Sequence, residues 1–402
     1  MITEAELLII GGGIAGASTA YHLARYGQDV ILLERGTIAS EASGLNAGFI
    51  SPFGWGGMSR LDTALTKGSI ALFEHMETEM GYDIGLTRMD GMQAIHDEEQ
   101  YEFCRERVGH LRRCGQWVEL LNPSEARDLE PLLNVTLPGF IYTPARLMAS
   151  PAKATQAFAS AATRCAARIL ERCEVKGIEK GGDAKYLVRT SRGVFAAKSL
   201  VIAAGAWCSL IGTLLGCQFG IVAVTGQMWA CDAPKQLLSN AISSAESALY
   251  WHKESLGRTS QPIRLTHSGD KRLTRHLYGR RNDEGELIFG GDRRFSDFSK
   301  AVDHTGIEAN RAHAAEVLPI LKTLPVKRAW AGLMPFSLDG LPVIGKAAQH
   351  PNLYVIGGLG ASGFSRGPMA GKLLADFIQT GQQPAILAET DPSRFVSSEL
   401  NG

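Results

Sequence analysis

The chain predicts an α/β fold built from two interleaved domains, and three observations lead there. A complete strand–helix–strand unit lies within residues 6–34. The same α/β texture returns near residues 151–225 and once more towards residue 380. Between these stretches, two blocks at 86–150 and 226–325 break the alternation, the second being mainly β. One domain therefore takes 1–85, 151–225 and 326–385, and a mainly antiparallel β (α+β) domain takes 86–150 and 226–325.

Residues 6–10 form a short apolar run bounded by glycine, as expected of a parallel strand buried on both faces. Ala17, Ala20, Leu23 and Ala24 fall at helical spacing over residues 14–26, and Gly27 ends that helix. Residues 29–33 are a second strand that stops at Glu34. Helical patterns follow around 62–80 and 98–115, with a helix start at Pro123 and an Ala-rich helix over 151–169. A hairpin around Ser191-Arg192-Gly193 runs into the strand Leu200-Val201-Ile202-Ala203. Turn signals at Ser268-Gly269-Asp270 and Asp283-Glu284-Gly285 punctuate the β block, residues 311–321 are helical, residues 353–356 are a buried strand, and 369–379 form the last helix.

Composition excludes several classes. Hydrophobic residues at 45% and charged residues at 20% argue against disorder, and Lys+Arg equals Asp+Glu at 41, so general attraction to nucleic acid is not expected. The densest basic run, Lys271-Arg272 to Arg280-Arg281 with Arg293-Arg294, reads as solvated loops. The N-terminus has acidic residues where a signal peptide carries basic ones. Seven cysteines without a C-x-x-C pair argue against a disulfide framework or zinc site, so a cytoplasmic location and no metal are expected. Residues 199–231 carry no charged side chain, yet five glycines interrupt them; a strand, turn, short helix and strand explain this better than a membrane span, and no transmembrane segment is expected.

Gly11-Gly12-Gly13-Ile14-Ala15-Gly16 fits G-x-G-x-x-G. Gly11 permits the tight turn, Gly13 lets a pyrophosphate approach the backbone, Gly16 packs helix on strand, and the helix N-terminus at Ile14 and Ala15 points at phosphate. The pattern follows a strand, opens a helix and precedes Glu34, whose carboxylate can accept bonds from ribose hydroxyls. A carboxylate there, with Arg35 beside it, favours FAD or NAD over NADP. The first domain is thus of the Rossmann type.

Four ordered motifs together resemble the D-amino acid oxidase family of FAD oxidoreductases, in its glycine oxidase, sarcosine oxidase and gamma-glutamylputrescine oxidase branches. Beside the glycine loop, Ser43, Gly44, Asn46, Ala47 and Gly48 resemble the small-residue loop next to the flavin. Val175 resembles the strand whose backbone meets adenine, and Ala204, Gly205 and Trp207 resemble the turn passing close to the cofactor. Gly332, then Gly358, Gly360, Ala361, Ser362, Gly363 and Phe364 opening the last helix, resemble the final flavin-contacting block, where a helix N-terminus would stabilise negative charge on reduced flavin.

Departures sharpen the reading. Covalent members use a Cys after the tryptophan–glycine element or a His in the early loop; Leu333-Met334 and Leu45-Asn46 stand there, so non-covalent FAD is implied. Met334 also replaces the Arg that holds an α-carboxylate in the glycine and D-amino acid oxidase branches. Tyr278 and Arg280 match a Tyr-x-Arg pattern of the amine oxidase branch and, with Tyr250, are substrate-pocket candidates. The oxygen-activating lysine of the sarcosine oxidase branch is replaced by an apolar residue near Ile288.

The implied activity is oxidation of a C–N bond in a small amine or amino acid by hydride transfer to flavin N5, giving an imine that hydrolyses, with no dedicated catalytic base. Oxygen, a quinone or a partner protein would take the electrons. Two alternatives stay open: a non-catalytic or electron-transfer flavin subunit of an amino-acid or opine dehydrogenase, and an FAD monooxygenase, although Gly360-Ala361-Ser362-Gly363 lacks the acid of a Gly-Asp-Ala element.

Overall fold

The computed structural model describes residues 2–50, 59–182, 185–234, 238–348 and 350–395. The chain divides into two compact units, one of residues 1–86, 151–224 and 333–402, the other of 87–150 and 225–332.

The first unit is built on a sheet whose strands run in the order Val343–Lys346, Leu353–Gly357, Gly193–Ile202, Ile2–Ile10, Val30–Leu33 and Arg168–Leu170. Ile2–Ile10 is central and parallel to both neighbours, with Leu8 opposite Leu200 on one side and Ile31 on the other. Leu7, Leu8, Ile9 and Ile10 are all buried, which is why this segment shows a continuous apolar run instead of alternation. The antiparallel strands Val175–Lys180 and Tyr186–Thr190 extend from Gly193–Ile202, and their Ile178, Tyr186 and Val188 pack with Ile10, Leu33 and Leu200.

The helices Ile14–Arg25, Arg60–Thr78, Pro151–Arg164 and Gly363–Thr380 pack against one another in this unit. The last begins six residues earlier than the sequence pattern suggested, because Gly-Phe-Ser-Arg-Gly-Pro reads as a turn but coils as helix, with Pro368 inside it. Its glycines have a packing role. A Cβ on Gly367 would sit 2.7 Å from Ile14 Cγ2, and one on Gly371 would sit 2.8 Å from the Ala15 carbonyl oxygen. Ile14 meets Gly367, Ala15 meets Gly371 and Tyr26 bonds Asp376, so the first and last helices run parallel.

The second unit holds a mixed sheet in the order Arg328–Ser337, Ile221–Cys231, Leu287–Phe295, Tyr278–Arg281, Ala241–Ser244, Thr87–Ile95 and Gly139–Met148, with Glu119–Leu121 paired to the last. The strands Ile221–Cys231 and Arg328–Ser337 also carry the chain across the unit boundary. Helix His304–Val317 covers one face through Ile307, Ala314 and Val317, which pack with Trp229, Phe289 and Leu277. It starts seven residues before the predicted 311, since the Asp303 side chain caps it by accepting from Thr305 N–H. The uncharged stretch 199–231 forms a strand end, a Gly205 turn, the short helix Cys208–Thr213 and a strand; among the described residues no helix is long and apolar enough to cross a membrane.

Candidate functional site

In the first unit, the turn after Ile2–Ile10 is built by contacts that only glycine permits. A Cβ on Gly11, at φ 116°, would collide with the Ala203 carbonyl, and one on Gly16 with the Gly11 carbonyl. Gly13 differs, because a Cβ there would meet only the Ser43 side chain, with Oγ at 3.0 Å. Two glycines therefore close the turn, while the third leaves space in front of the helix. That helix is open at its positive end apart from Ser43 Oγ on Ile14 N–H: Gly13 offers no side-chain cap and no acid lies in the first turn. Such an opening suits a pyrophosphate.

Glu34 is 8% exposed and holds the loop directly, its Oε2 accepting from Gly12 N–H at 2.7 Å and its Oε1 from Gly36 N–H at 2.6 Å. Each carboxylate oxygen can accept a further bond, so the residue can brace the loop and still receive ribose hydroxyls. Arg35 lies with its guanidinium 3.8 Å from the Trp207 ring centroid and pairs with Glu41 at 2.8 Å. The end of the second strand is thereby joined to the Ala204–Trp207 turn. Cys173 N–H donates to Glu34 C=O at 2.8 Å and Arg172 N–H to Gly36 C=O at 2.7 Å, which brings the lead-in to Val175 alongside the acid. Val175 itself is half-buried at the start of its strand.

The small-residue loop forms the short helix Ala42–Leu45. Ser43 Oγ accepts from Ile14 N–H at 2.9 Å, tying this loop to the glycine turn. Asn46 is spent on its own loop: Nδ2 donates to Ala42 C=O at 2.9 Å, and Oδ1 accepts from Gly48 N–H at 2.8 Å. Its role is to shape the loop, with Gly44 pressed on Ala39 and Gly48 at φ 77°. Gly205, at φ 54°, faces open space.

At the last motif, Gly358 and Gly360 have φ 66° and 57°, and Gly363 opens the helix Gly363–Thr380. Ser362 gives no side-chain cap, and the first turn again lacks an acid. Because this helix runs parallel to Ile14–Arg25, two positive ends with neither an N-cap side-chain bond nor a first-turn acid lie at the same end of the unit. Ala361 is exposed, Phe364 is buried with its ring 5.1 Å from that of Phe73, and Gly332 and Met334 are half-buried on Arg328–Ser337. No nucleophile stands at either position where covalent relatives attach flavin, which Leu333-Met334 and Leu45-Asn46 occupy. The two helix ends free of first-turn acids, the open face of Gly13 and the braced Glu34 fit a dinucleotide held without a covalent bond.

In the second unit the basic run differs from the solvated loops expected of it. Arg272 pairs with Asp292 at 2.7 Å, Arg275 with Glu246 and Glu316, and Arg294 with Asp303, while Arg280 and Arg293 are buried. Arg280 lies opposite Ile288 on the neighbouring strand, donates to the carbonyls of Arg281 at 2.8 Å and Ala149 at 3.3 Å, and has Asp283 at 3.7 Å. Tyr278 lies opposite Gly290, and a Cβ on that glycine would sit 2.7 Å from the phenol oxygen. Tyr250 is half-buried on the helix Glu246–Ser255; its neighbour Trp251 is the one whose ring meets His276, at 4.9 Å.

Sequence reasoning missed Arg293. It is 4% exposed, lies 4.9 Å from the Trp251 ring centroid, and donates to His276 Nε2 at 3.0 Å. His276 is held neutral by burial and next by Arg293, so its Nδ1–H donates to Ser247 Oγ at 2.6 Å. Among the described residues no carboxylate pairs with Arg293. Burial pushes its guanidinium down to about 10. The signal lay in Gly290-Gly291: Phe289 and Asp292 both face the helix His304–Val317, so strand alternation breaks between them and turns Arg293 to the side of Tyr278.

Comparison with known proteins agrees with this geometry. The family model described as "DAO: FAD dependent oxidoreductase" matches residues 6–377. A glycine oxidase of Geobacillus kaustophilus (strain HTA426) is 26% identical over 401 residues, 97% of this chain and 97% of that protein. A sarcosine oxidase subunit beta of Arthrobacter sp. is 26% identical over 98% of this chain and 92% of its own length. The crystal structure of glycine oxidase from Geobacillus kaustophilus superposes with a TM-score of 0.83 at 25% identity, covering 98% of this chain and 99% of that one. With nearly the whole chain matched in sequence and fold, the protein belongs to the DAO family of FAD-dependent oxidoreductases.

Proposed function

We propose that the protein uses non-covalent FAD to oxidise the C–N bond of a carboxylate-bearing secondary amine or N-substituted amino acid, giving an imine that water hydrolyses. When bound, FAD supplies the two-electron oxidation. The glycine turn, Glu34, Arg35 and the two helix ends hold it, and the remaining side chains orient and select the neutral amine. Arg293 carries the substrate reading. A buried guanidinium without a counter-ion is costly, and a ligand carboxylate is the group that would offset this. Met334 stands where the glycine oxidase and D-amino acid oxidase branches carry their carboxylate-holding Arg, and Arg280 is already committed to backbone carbonyls, so Arg293 with Tyr278 replaces Arg280 as the candidate clamp.

The apolar residue near Ile288, where the sarcosine oxidase branch carries its oxygen-activating lysine, supports a quinone or partner protein as electron acceptor. All seven cysteines are free, which accords with a reducing, cytoplasmic setting. The test is an anaerobic screen of amines and amino acids for bleaching of the flavin, each carboxylated compound paired with its decarboxylated counterpart. Bleaching by N-substituted amino acids and not by their counterparts is expected. Bleaching by neither class would overturn the catalytic reading in favour of a flavin subunit that receives electrons elsewhere.

A further inference from the structure

In the second unit, two imidazoles and a carboxylate far apart in sequence come together, and two of them, His96 and Glu316, line a cavity of about 510 Å³. His96 follows the strand Thr87–Ile95, while His313 and Glu316 are three residues apart on one face of helix His304–Val317. The two Nε2 atoms are 3.3 Å apart, and Glu316 Oε2 is 3.6 Å from His96 Nδ1. Candidate ligand atoms of the three residues lie within 4.8 Å of one another. Glu246 brings a fourth group, its Oε2 lying 4.0 Å from His313 Nε2.

We infer that His96, His313 and Glu316 form a site for a divalent transition-metal ion, of which zinc is the natural probe, with Glu246 in reach as a further ligand. Two nitrogens each about 2.05 Å from a tetrahedral zinc stand roughly 3.3 Å apart, the separation at which the protein holds these imidazoles. Imidazole with carboxylate is a donor set that suits zinc and its neighbours and is too rich in nitrogen for magnesium or calcium.

The surroundings prepare the donors. Arg275 orients the acids by donating to Glu316 Oε1 at 2.6 Å and pairing with Glu246 Oε2 at 2.7 Å, which leaves Glu316 Oε2 turned towards His96. The cavity is lined by His96, Glu246, Arg275 and Glu316, and it provides entry for the ion and for a water as an outer ligand. Among the described residues His313 Nδ1 has no hydrogen-bond partner, and such outer-shell bonds are worth about 10- to 100-fold in affinity. A micromolar site is therefore expected.

The ion would join the end of Thr87–Ile95 to the helix His304–Val317, a structural role separate from FAD. The test uses FAD-loaded protein, stripped with chelator and then dialysed against zinc or magnesium, with bound metal measured by mass spectrometry. One equivalent of zinc with a micromolar Kd, undisplaced by excess magnesium, is expected, together with a rise of a few degrees in the unfolding midpoint. His96→Ala and Glu316→Gln should each weaken zinc binding at least tenfold while flavin content and absorbance stay unchanged. Neither is fully buried, so folding is preserved even if His313→Gln misfolds. No zinc retained at about 100 µM, or equal retention in both variants and the parent, would overturn the inference.

Discussion

Replacing Arg293 by methionine separates a substrate-binding guanidinium from a merely structural one. Methionine keeps the apolar packing on Trp251 but removes the charge and the donor to His276. The drop of the guanidinium from 12.5 to about 10 corresponds to roughly 3 kcal/mol of burial penalty. At neutral pH this penalty is fully present, since the group is protonated below both values, and the substitution relieves it. Against that stand about 1–3 kcal/mol for the unpaired imidazole nitrogen and about 1 kcal/mol of cation–π attraction. The terms nearly cancel, so the unfolding midpoint should stay within a few degrees of the parent. Catalysis should not be neutral. Loss of a charge-assisted contact of about 1.5–3 kcal/mol raises KM for a carboxylated substrate roughly 10- to 150-fold, with little change for the decarboxylated counterpart. The assay is steady-state reduction of an artificial acceptor with matched substrate pairs. Equal loss on both members of a pair, or no loss on the carboxylated one, would refute the assignment. Arg280→Met is the control: it leaves the Ala149 and Arg281 carbonyls short of a donor and should lower stability without selective effect on KM.

Denaturation should release intact FAD at about one per chain into the supernatant, and flavin remaining with the precipitate would contradict a dissociable cofactor. Gly13→Val fills the space before the first helix and should abolish FAD retention, read as the ratio of flavin to protein absorbance. Gly371→Ala forces a Cβ to 2.8 Å from the Ala15 carbonyl oxygen, so it should cost about 1–3 kcal/mol in chemical unfolding and weaken FAD as the parallel helices separate. Ile288→Lys should speed re-oxidation of reduced enzyme by oxygen in stopped flow; an unchanged rate would remove this position from the choice of acceptor. Glu286, held down to about 2 from 4.5 chiefly by its bond with Arg328, contributes stability that is complete above about pH 4.5 and lost as pH falls towards 2. Urea midpoints of Glu286→Gln should accordingly lose part of the parent's acid dependence.

Local chemistry explains what could be read in advance. The strand, Gly11–Gly16 and Glu34 lie within one short segment whose spacing has a single stereochemical solution, and the alternation of texture along the chain pointed to the interleaved α/β architecture. Contacts distant in sequence were not legible. Gly367 and Gly371 look like a loop until Ile14 and Ala15 are set against them. Arg293 looks like one more solvated charge, since its burial depends on Trp251, His276 and a break in strand alternation. His96 and His313 are 217 positions apart, and only the three-residue spacing of His313 and Glu316 hinted at a shared face. Arg280 misled for the same reason: a pattern gives the residue type, while the carbonyls that occupy it come from elsewhere in the fold.

The first helix rests against glycines of the last, with Ser18 Oγ bonded to the Pro368 carbonyl across 350 positions of sequence. Ile2–Ile10 likewise pairs with Gly193–Ile202, which pairs in turn with Leu353–Gly357. During synthesis the glycine turn is made early, yet the surface that completes it arrives only after the ribosome has passed Gly371, about 355 residues later. At about 5–20 residues per second, that interval is some tens of seconds. Until then the early βαβ unit holds its apolar strands incompletely covered, so its lasting fold waits on the last helix.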